Sequence, residues 1–153
     1  MGDDITRELR ERLLTTDPGS LALEPSDRLP RVWGALMETG RAGGTASLVA
    51  VADGTTSLYL STGGGIIGGG EHAPVADASS AFLEVVESHL DRLAPAGEAL
   101  MPEPEAVRFT ALTYDGLFSG GAPEDELESG RHPLSALFAA GHGVLTQLRL
   151  IAQ

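Results

Sequence analysis

One stretch decides the fold: Ala46-Ser47-Leu48-Val49-Ala50-Val51-Ala52-Asp53-Gly54-Thr55-Thr56-Ser57-Leu58-Tyr59-Leu60-Ser61-Thr62. Two runs rich in Val, Leu and Thr flank an Asp-Gly dipeptide. Both residues of that dipeptide tolerate the positive φ that a two-residue hairpin turn requires. The pattern therefore predicts an antiparallel hairpin with strands over residues 46–52 and 55–62.

A second hairpin is predicted further along the chain. Residues 106–114 are predicted to form a strand, Asp115-Gly116 supplies another turn, and residues 117–119 return. Before the second hairpin, a Pro- and Ala-rich linker is predicted over residues 94–104. After it, residues 121–131 are predicted to form an acidic, turn-forming segment.

Four helices are predicted from apolar residues spaced three and four apart. They cover residues 4–15, 27–39, 74–93 and from 133 or 135 to the end. The first carries Ile5, Leu9 and Leu13, and the second carries Leu29, Val32, Trp33, Leu36 and Met37. In the last helix His142 lies between two glycines, which implies close packing or a kink there.

These elements predict an α+β fold in the order α-α-β-β-α-β-β-α, with one antiparallel sheet of four or five strands covered by helices. A length of 153 residues fits a single domain. We expect an N-terminal helix and linker over residues 1–25 and an α+β core over residues 26–153.

The element order and the two Asp-Gly hairpins, over about residues 27–151, resemble the roadblock/longin-like (profilin-like) domains. Residues 33–149 also look like a family of uncharacterised bacterial proteins. Roadblock-type domains commonly pair as dimers and serve as platforms for small GTPases or motor subunits. The resemblance thus implies a non-catalytic adaptor, a homodimer and an NTPase partner.

Composition excludes several kinds of chemistry. The chain has no Cys, Lys or Asn, which removes thiolate metal sites, Schiff-base chemistry and the phosphate-binding Lys of a Walker A loop. A net charge of −12 disfavours nucleic-acid binding. The longest apolar runs are too short to span a bilayer, and no secretory signal is recognisable. We expect a cytoplasmic protein that requires no cofactor.

The glycine loop, residues 63–70, is the most unusual segment. It joins a strand to a helix, where backbone N–H groups favour an anion. Two interpretations are open: a cradle for a small anionic ligand, or a bend that allows close backbone packing with the two isoleucines in the core or a dimer seam. The candidate ligand-binding residues are Gly64, Gly65, Gly68, Gly69, Glu71 and His72.

No catalytic or metal-binding motif is recognisable. The four histidines, His72, His89, His132 and His142, lack the i, i+4 spacing of a zinc protease. His89 lies on an apolar stripe, where a hydrogen-bonded core histidine is expected. No Gly-x-Ser-x-Gly nucleophile motif is present. We therefore predict neither catalytic residues nor a metal site.

The preferred functional hypothesis is a cytoplasmic adaptor or regulatory protein that binds another protein, with basic character expected of the partner. Its candidate contact residues are Ile66, Ile67, Glu124, Asp125, Glu126 and Glu128. Two alternatives stay open: a ligand-binding domain or minor enzyme that uses the glycine loop, and a structural subunit of a larger assembly.

Overall fold

The computed structural model describes the backbone of residues 2–152 and the side chains of residues 7–152. It is an α+β fold with one antiparallel sheet in the order β4-β3-β2-β1-β6-β7-β5. The strands are β1 (Val32–Arg41), β2 (Gly44–Val51), β3 (Thr56–Leu60), β4 (Gly65–Ile66), β5 (Ala94–Ala96), β6 (Ala106–Thr113) and β7 (Gly116–Pro123). The helices are α1 (Gly2–Leu14), α2 (Ala73–Ser88), α3 (Glu124–Glu128) and α4 (Ser135–Ile151).

Both predicted hairpins are confirmed. Strand β2 pairs with β3, and β6 pairs with β7, each in antiparallel register. Side chains close the two turns: the Thr55 N–H donates to Asp53 Oδ1 over 2.9 Å, and Thr113 Oγ1 donates to the Gly116 carbonyl over 2.7 Å. The predicted positive φ at both residues of each dipeptide is wrong, because only Gly54 and Gly116 adopt one and neither aspartate does.

The predicted helix over residues 27–39 is wrong, because residues 32–39 belong to the central strand β1 and residues 27–31 form no regular element. Residues 32–40 are all buried, since helices or loops cover both faces of the strand. Such a strand carries a near-continuous apolar run instead of an alternating one. A register shift between Val32 and Gly34 adds a bulge, so the apolar residues also acquire a helix-like spacing.

The sheet therefore has seven strands, not four or five. One of the additional strands is β1, which the apolar spacing predicted to be a helix. The two edge strands are short: β4 arises within the glycine loop, and β5 within the predicted linker. Pro95 is tolerated in β5 because an edge strand has unpaired backbone positions.

The helices at 4–15, 74–93 and 135 to the end are confirmed as α1, α2 and α4, although α2 ends at Ser88 and a 3-10 turn covers Leu90–Arg92. The side chain of Ile5 lies outside the described residues. Residues 121–131 are not a loop throughout, since 121–123 continue β7 and 124–128 form α3.

Each face of the sheet has its own apolar cluster. The first face packs against α2 and α4 through residues such as Met37, Phe82 and Val144. The second face carries Trp33 and Leu36 in its cluster and is covered in part by leucines of α1 and the segment that follows it. Gly141 of α4 confirms the close packing expected there, because a Cβ at this position would lie 2.5 Å from Met37 Sδ.

Candidate functional site

A cavity of about 660 Å³ opens where β1 ends, β6 begins and β7 leads into α3. Five carboxylates and one guanidinium line it. We call it the acidic groove and define it by Arg41, Glu103, Glu105, Glu124, Asp125 and Glu128. Its remaining lining residues are Ala42, Pro104, Ala106 and Pro123. The groove thus concentrates negative charge at one end of the sheet.

Backbone contacts hold the segment at residues 102–105 against the sheet. The Glu105 N–H donates to the Gly40 carbonyl over 2.9 Å, and the Glu124 N–H donates to the Glu105 carbonyl over 2.9 Å. A Cβ at Gly40 would lie 2.1 Å from the carbonyl oxygen of Glu103, so only glycine allows this approach. Glu105 itself adopts a left-handed φ of 66°, a conformation that non-glycine residues rarely accept.

One ion pair crosses the groove. The Arg41 guanidinium donates to both carboxylate oxygens of Glu124, and this hydrogen bonding lowers the pKa of Glu124 below its usual range. Among the described residues, the carboxylates of Glu103, Asp125 and Glu128 form no salt bridge, and neither does that of Glu105. The groove therefore keeps an excess of uncompensated negative charge.

The acidic stretch predicted to bind a partner is divided by the structure. Glu124, Asp125 and Glu128 line the groove, whereas Glu126 is exposed on α3 and does not line it. Glu124, Asp125 and Glu126 occupy the first turn of α3. There the partial positive charge of the helix N-terminus stabilises them, so part of this acidity has a structural cause.

The glycine loop has packing reasons for several of its glycines. A Cβ at Gly65 would lie 2.0 Å from the Leu58 carbonyl oxygen, one at Gly69 would lie 2.4 Å from Leu148 Cδ2, and one at Gly70 would meet backbone at 1.8 Å. Gly64 and Gly68 differ, since they adopt positive φ with open space around them. Close packing therefore accounts for Gly65 and Gly69 without a ligand.

The other residues of the loop do not share one environment. Ile66 packs partly against the core, but Ile67 is 73% exposed. Glu71 and His72 are both exposed. His72 caps α2 with its backbone carbonyl, which accepts from Val75 and Ala76, and its side chain makes no capping bond. The structure thus separates the two isoleucines that the sequence grouped together.

The remaining histidines lie apart in different local settings. His89 Nδ1 lies 2.8 Å from the Val85 carbonyl oxygen, but the residue is half-buried at the C-terminal cap of α2 and not in the core where it was predicted. His132 Nδ1 accepts from the Leu134 N–H. The His142 ring lies 4.3 Å from that of Phe138, centroid to centroid, and burial lowers its pKa. Within the described residues, no three His, Asp or Glu side chains are placed to hold a metal ion.

A polar row on the second face escaped the sequence analysis. It is the cross-strand series Ser47, Glu38, Arg108 and Gly121. Glu38 is completely buried and accepts two hydrogen bonds from the Arg10 guanidinium and one from Ser47 Oγ. The signal in the sequence was Glu38, a charged residue directly after the apolar run of residues 32–37.

No model of a known protein family, no curated protein and no solved structure matches the chain. Across the part of the chain that the structure describes, no helix combines the length and the apolar character needed to cross a membrane. The function must therefore be inferred from the chemistry of the sites themselves.

Proposed function

We propose that the chain is a non-catalytic adaptor or regulatory protein whose acidic groove binds a basic segment of a protein partner. The observation that carries this proposal is the groove of about 660 Å³ with five carboxylates and a single guanidinium. Such a surface attracts cationic side chains, and it favours their specific orientation more than it adds raw affinity.

The geometry supports a chain segment as the occupant. The groove is open, and its acidic residues come from two separate segments, residues 103–105 and the helix α3 at residues 124–128. An extended basic peptide can contact several of them at once. The cytoplasmic location expected from the composition stays a prediction beside this proposal, and so do the homodimer and the NTPase partner that the roadblock resemblance implies.

Charge reversal at two exposed groove residues tests the proposal. We expect Asp125→Arg and Glu128→Arg each to weaken the binding of a fluorescein-labelled oligo-arginine peptide by about tenfold. Neither carboxylate has a salt-bridge partner among the described residues, so the substitutions break no ion pair. Fluorescence anisotropy measures the dissociation constant, and added salt should weaken wild-type binding.

Glu126→Arg is the matched control. It changes the net charge by the same amount and lies on the same helix, but it does not line the groove. We expect it to weaken binding by less than about threefold. Equal losses at positions 125 and 126 would show that only the overall charge matters, and the proposed groove would then be wrong.

A further inference from the structure

Two large apolar side chains are exposed next to each other in the segment that leads to β6. Leu100 is 52% exposed and Met101 is 46% exposed. The other exposed large apolar residues among those described occur singly in the chain, at Leu21, Ile67 and Leu150. Single exposed apolar residues are common on protein surfaces, whereas contiguous apolar surface marks a contact site. The pair at residues 100 and 101 therefore indicates a surface that another molecule covers.

Both side chains line a groove of about 390 Å³ beside the start of β6 and the end of β7. Three small residues, Ala106, Gly121 and Ala122, line it as well and leave its space unfilled. We call it the apolar groove and define it by Leu100, Met101, Pro102, Ala106, Gly121 and Ala122.

Hydrogen bonds hold both ends of the segment that carries the two exposed residues. Arg10 Nη2 donates to the Ala99 carbonyl over 2.7 Å, directly before them. The Glu105 N–H donates to the Gly40 carbonyl over 2.9 Å, a few residues after them. The segment thus runs between two fixed points. A groove that is already formed binds its occupant at a smaller entropic cost.

The lining of the apolar groove carries no net formal charge. Its two charged residues, Glu103 and Arg108, have opposite signs, and the other lining residues are apolar or glycine. The Arg108 guanidinium already donates from Nη2 to Ser119 Oγ over 3.1 Å. The acidic groove, by contrast, has five carboxylates and one guanidinium. The two grooves therefore favour different parts of a ligand.

We infer that the apolar groove receives an uncharged apolar side chain of the same partner segment whose basic residues occupy the acidic groove. The inference rests on the proposed function. Glu103, Ala106 and Pro123 line both grooves, so one segment can occupy both at once. The partner motif is then an apolar anchor residue next to basic residues. In such an interface the anchor supplies much of the binding energy, and the charges set orientation.

Two fluorescein-labelled peptides test the inference. Each contains a run of arginines, and each end of the run carries one glycine and then either leucine or alanine. The chain ends are capped, so the two peptides have the same charge. We expect the leucine peptide to bind the wild-type protein about five- to tenfold more tightly, because the open groove buries part of the larger side chain. Fluorescence anisotropy measures both dissociation constants.

Serine substitutions locate the leucine on the protein. Leu100→Ser and Met101→Ser should each weaken binding of the leucine peptide by about threefold or more and that of the alanine peptide by less than about twofold. Both residues are about half exposed, so the fold should tolerate either change. Leu150→Ser is the matched control, because Leu150 is 55% exposed and lines neither groove. It should leave both dissociation constants unchanged.

A measurement on the wild-type protein does not depend on how the variants fold. The Met101 methyl resonance in a carbon–proton correlation spectrum should shift on addition of the leucine peptide and much less with the alanine peptide. Equal affinities of the two peptides would overturn the inference. So would a preference for leucine that both serine substitutions at the groove leave intact.

A failure of the apolar groove differs from a failure of the acidic groove. If alanine-peptide binding depends on Asp125 but leucine adds no affinity, the proposed function stands and the inference is wrong. If neither peptide depends on Asp125, the proposed function is wrong and the inference falls with it. A peptide-free dimer that both serine substitutions dissociate in analytical ultracentrifugation would assign the apolar groove to a second copy of the chain and overturn the inference.

Discussion

Replacing Arg10 by methionine should destabilise the protein more than most substitutions, because Arg10 joins three segments. Its guanidinium donates from Nε and Nη2 to the two oxygens of Glu38, each over 2.8 Å. Nη2 also donates to the Ala99 carbonyl over 2.7 Å. The contacts therefore connect α1, the central strand and the segment that leads to β6.

The expected magnitude follows from burial. Glu38 is 0% exposed and Arg10 is 7% exposed. Arg10→Met keeps much of the side-chain volume but leaves the carboxylate with Ser47 as its remaining described partner. Removing one member of a buried ion pair costs about 3–5 kcal/mol. For a chain of this length, that corresponds to a fall in Tm of about 6–20 °C.

Additional variants separate the charge from the packing. Combining Arg10→Met with Glu38→Leu removes both charges, and replacing both partners of a buried pair by apolar residues is often nearly neutral. Ser47 then loses its acceptor, so we expect a remaining loss of about 1–3 kcal/mol. Adding Ser47→Ala should recover most of that loss.

Urea denaturation at fixed pH measures these free energies of unfolding, and hydrogen exchange locates the effect. In Arg10→Met we expect faster exchange in α1 and at residues 97–103 than in α4. A loss below about 1 kcal/mol in Arg10→Met would resemble a solvent-exposed pair. A variant that combines Arg10→Met with Glu38→Leu and is no more stable than Arg10→Met alone would give the same indication. Either result would refute the argument that burial makes this ion pair costly to break.

Two further predictions concern α2 and the glycine loop. Glu87→Gln should cost about 1.5–3 kcal/mol, because Glu87 accepts from the Arg31 guanidinium and backbone. Burial alone would raise the pKa of Glu87. The hydrogen bonds lower the pKa by more than burial raises it, so the pKa of Glu87 lies below its usual range. Its contribution is present above about pH 4.5 and is lost as the pH falls through the folded-state pKa; acid titration of unfolding should therefore be flatter in Glu87→Gln. Gly70→Ala should destabilise by about 3 kcal/mol or more through overpacking, since its Cβ would lie 1.8 Å from a backbone oxygen. Gly68→Ala meets open space at φ 75° and should cost only about 1–2 kcal/mol; an equal loss in urea denaturation would contradict the packing explanation.

Local chemistry made much of the fold predictable. The two Asp-Gly dipeptides predicted the hairpins because a glycine accepts the positive φ that each turn requires, and Gly54 and Gly116 adopt it at φ 98° and 117°. Long amphipathic stripes likewise predicted α2 and α4. The same periodicity misassigned β1, since a strand buried on both faces loses its alternation, and the bulge at Trp33 completed a helix-like spacing. Strand β5 was not predicted because an edge strand of three residues is too short to show a pattern of its own. It forms through its pairing with β7.

The sequence by itself determined the fold class, the two hairpins, the acidic character and the exclusion of cysteine and lysine chemistry. Each of these depends on composition or on residues close together in the chain. Only the tertiary structure decided which charges meet. Arg41 and Glu124 are 83 positions apart in the chain. Arg108 of β6 lies directly opposite Glu38 of the neighbouring strand β1. Such neighbours are set by strand register and by the burial of both sheet faces, and no local pattern encodes either of them.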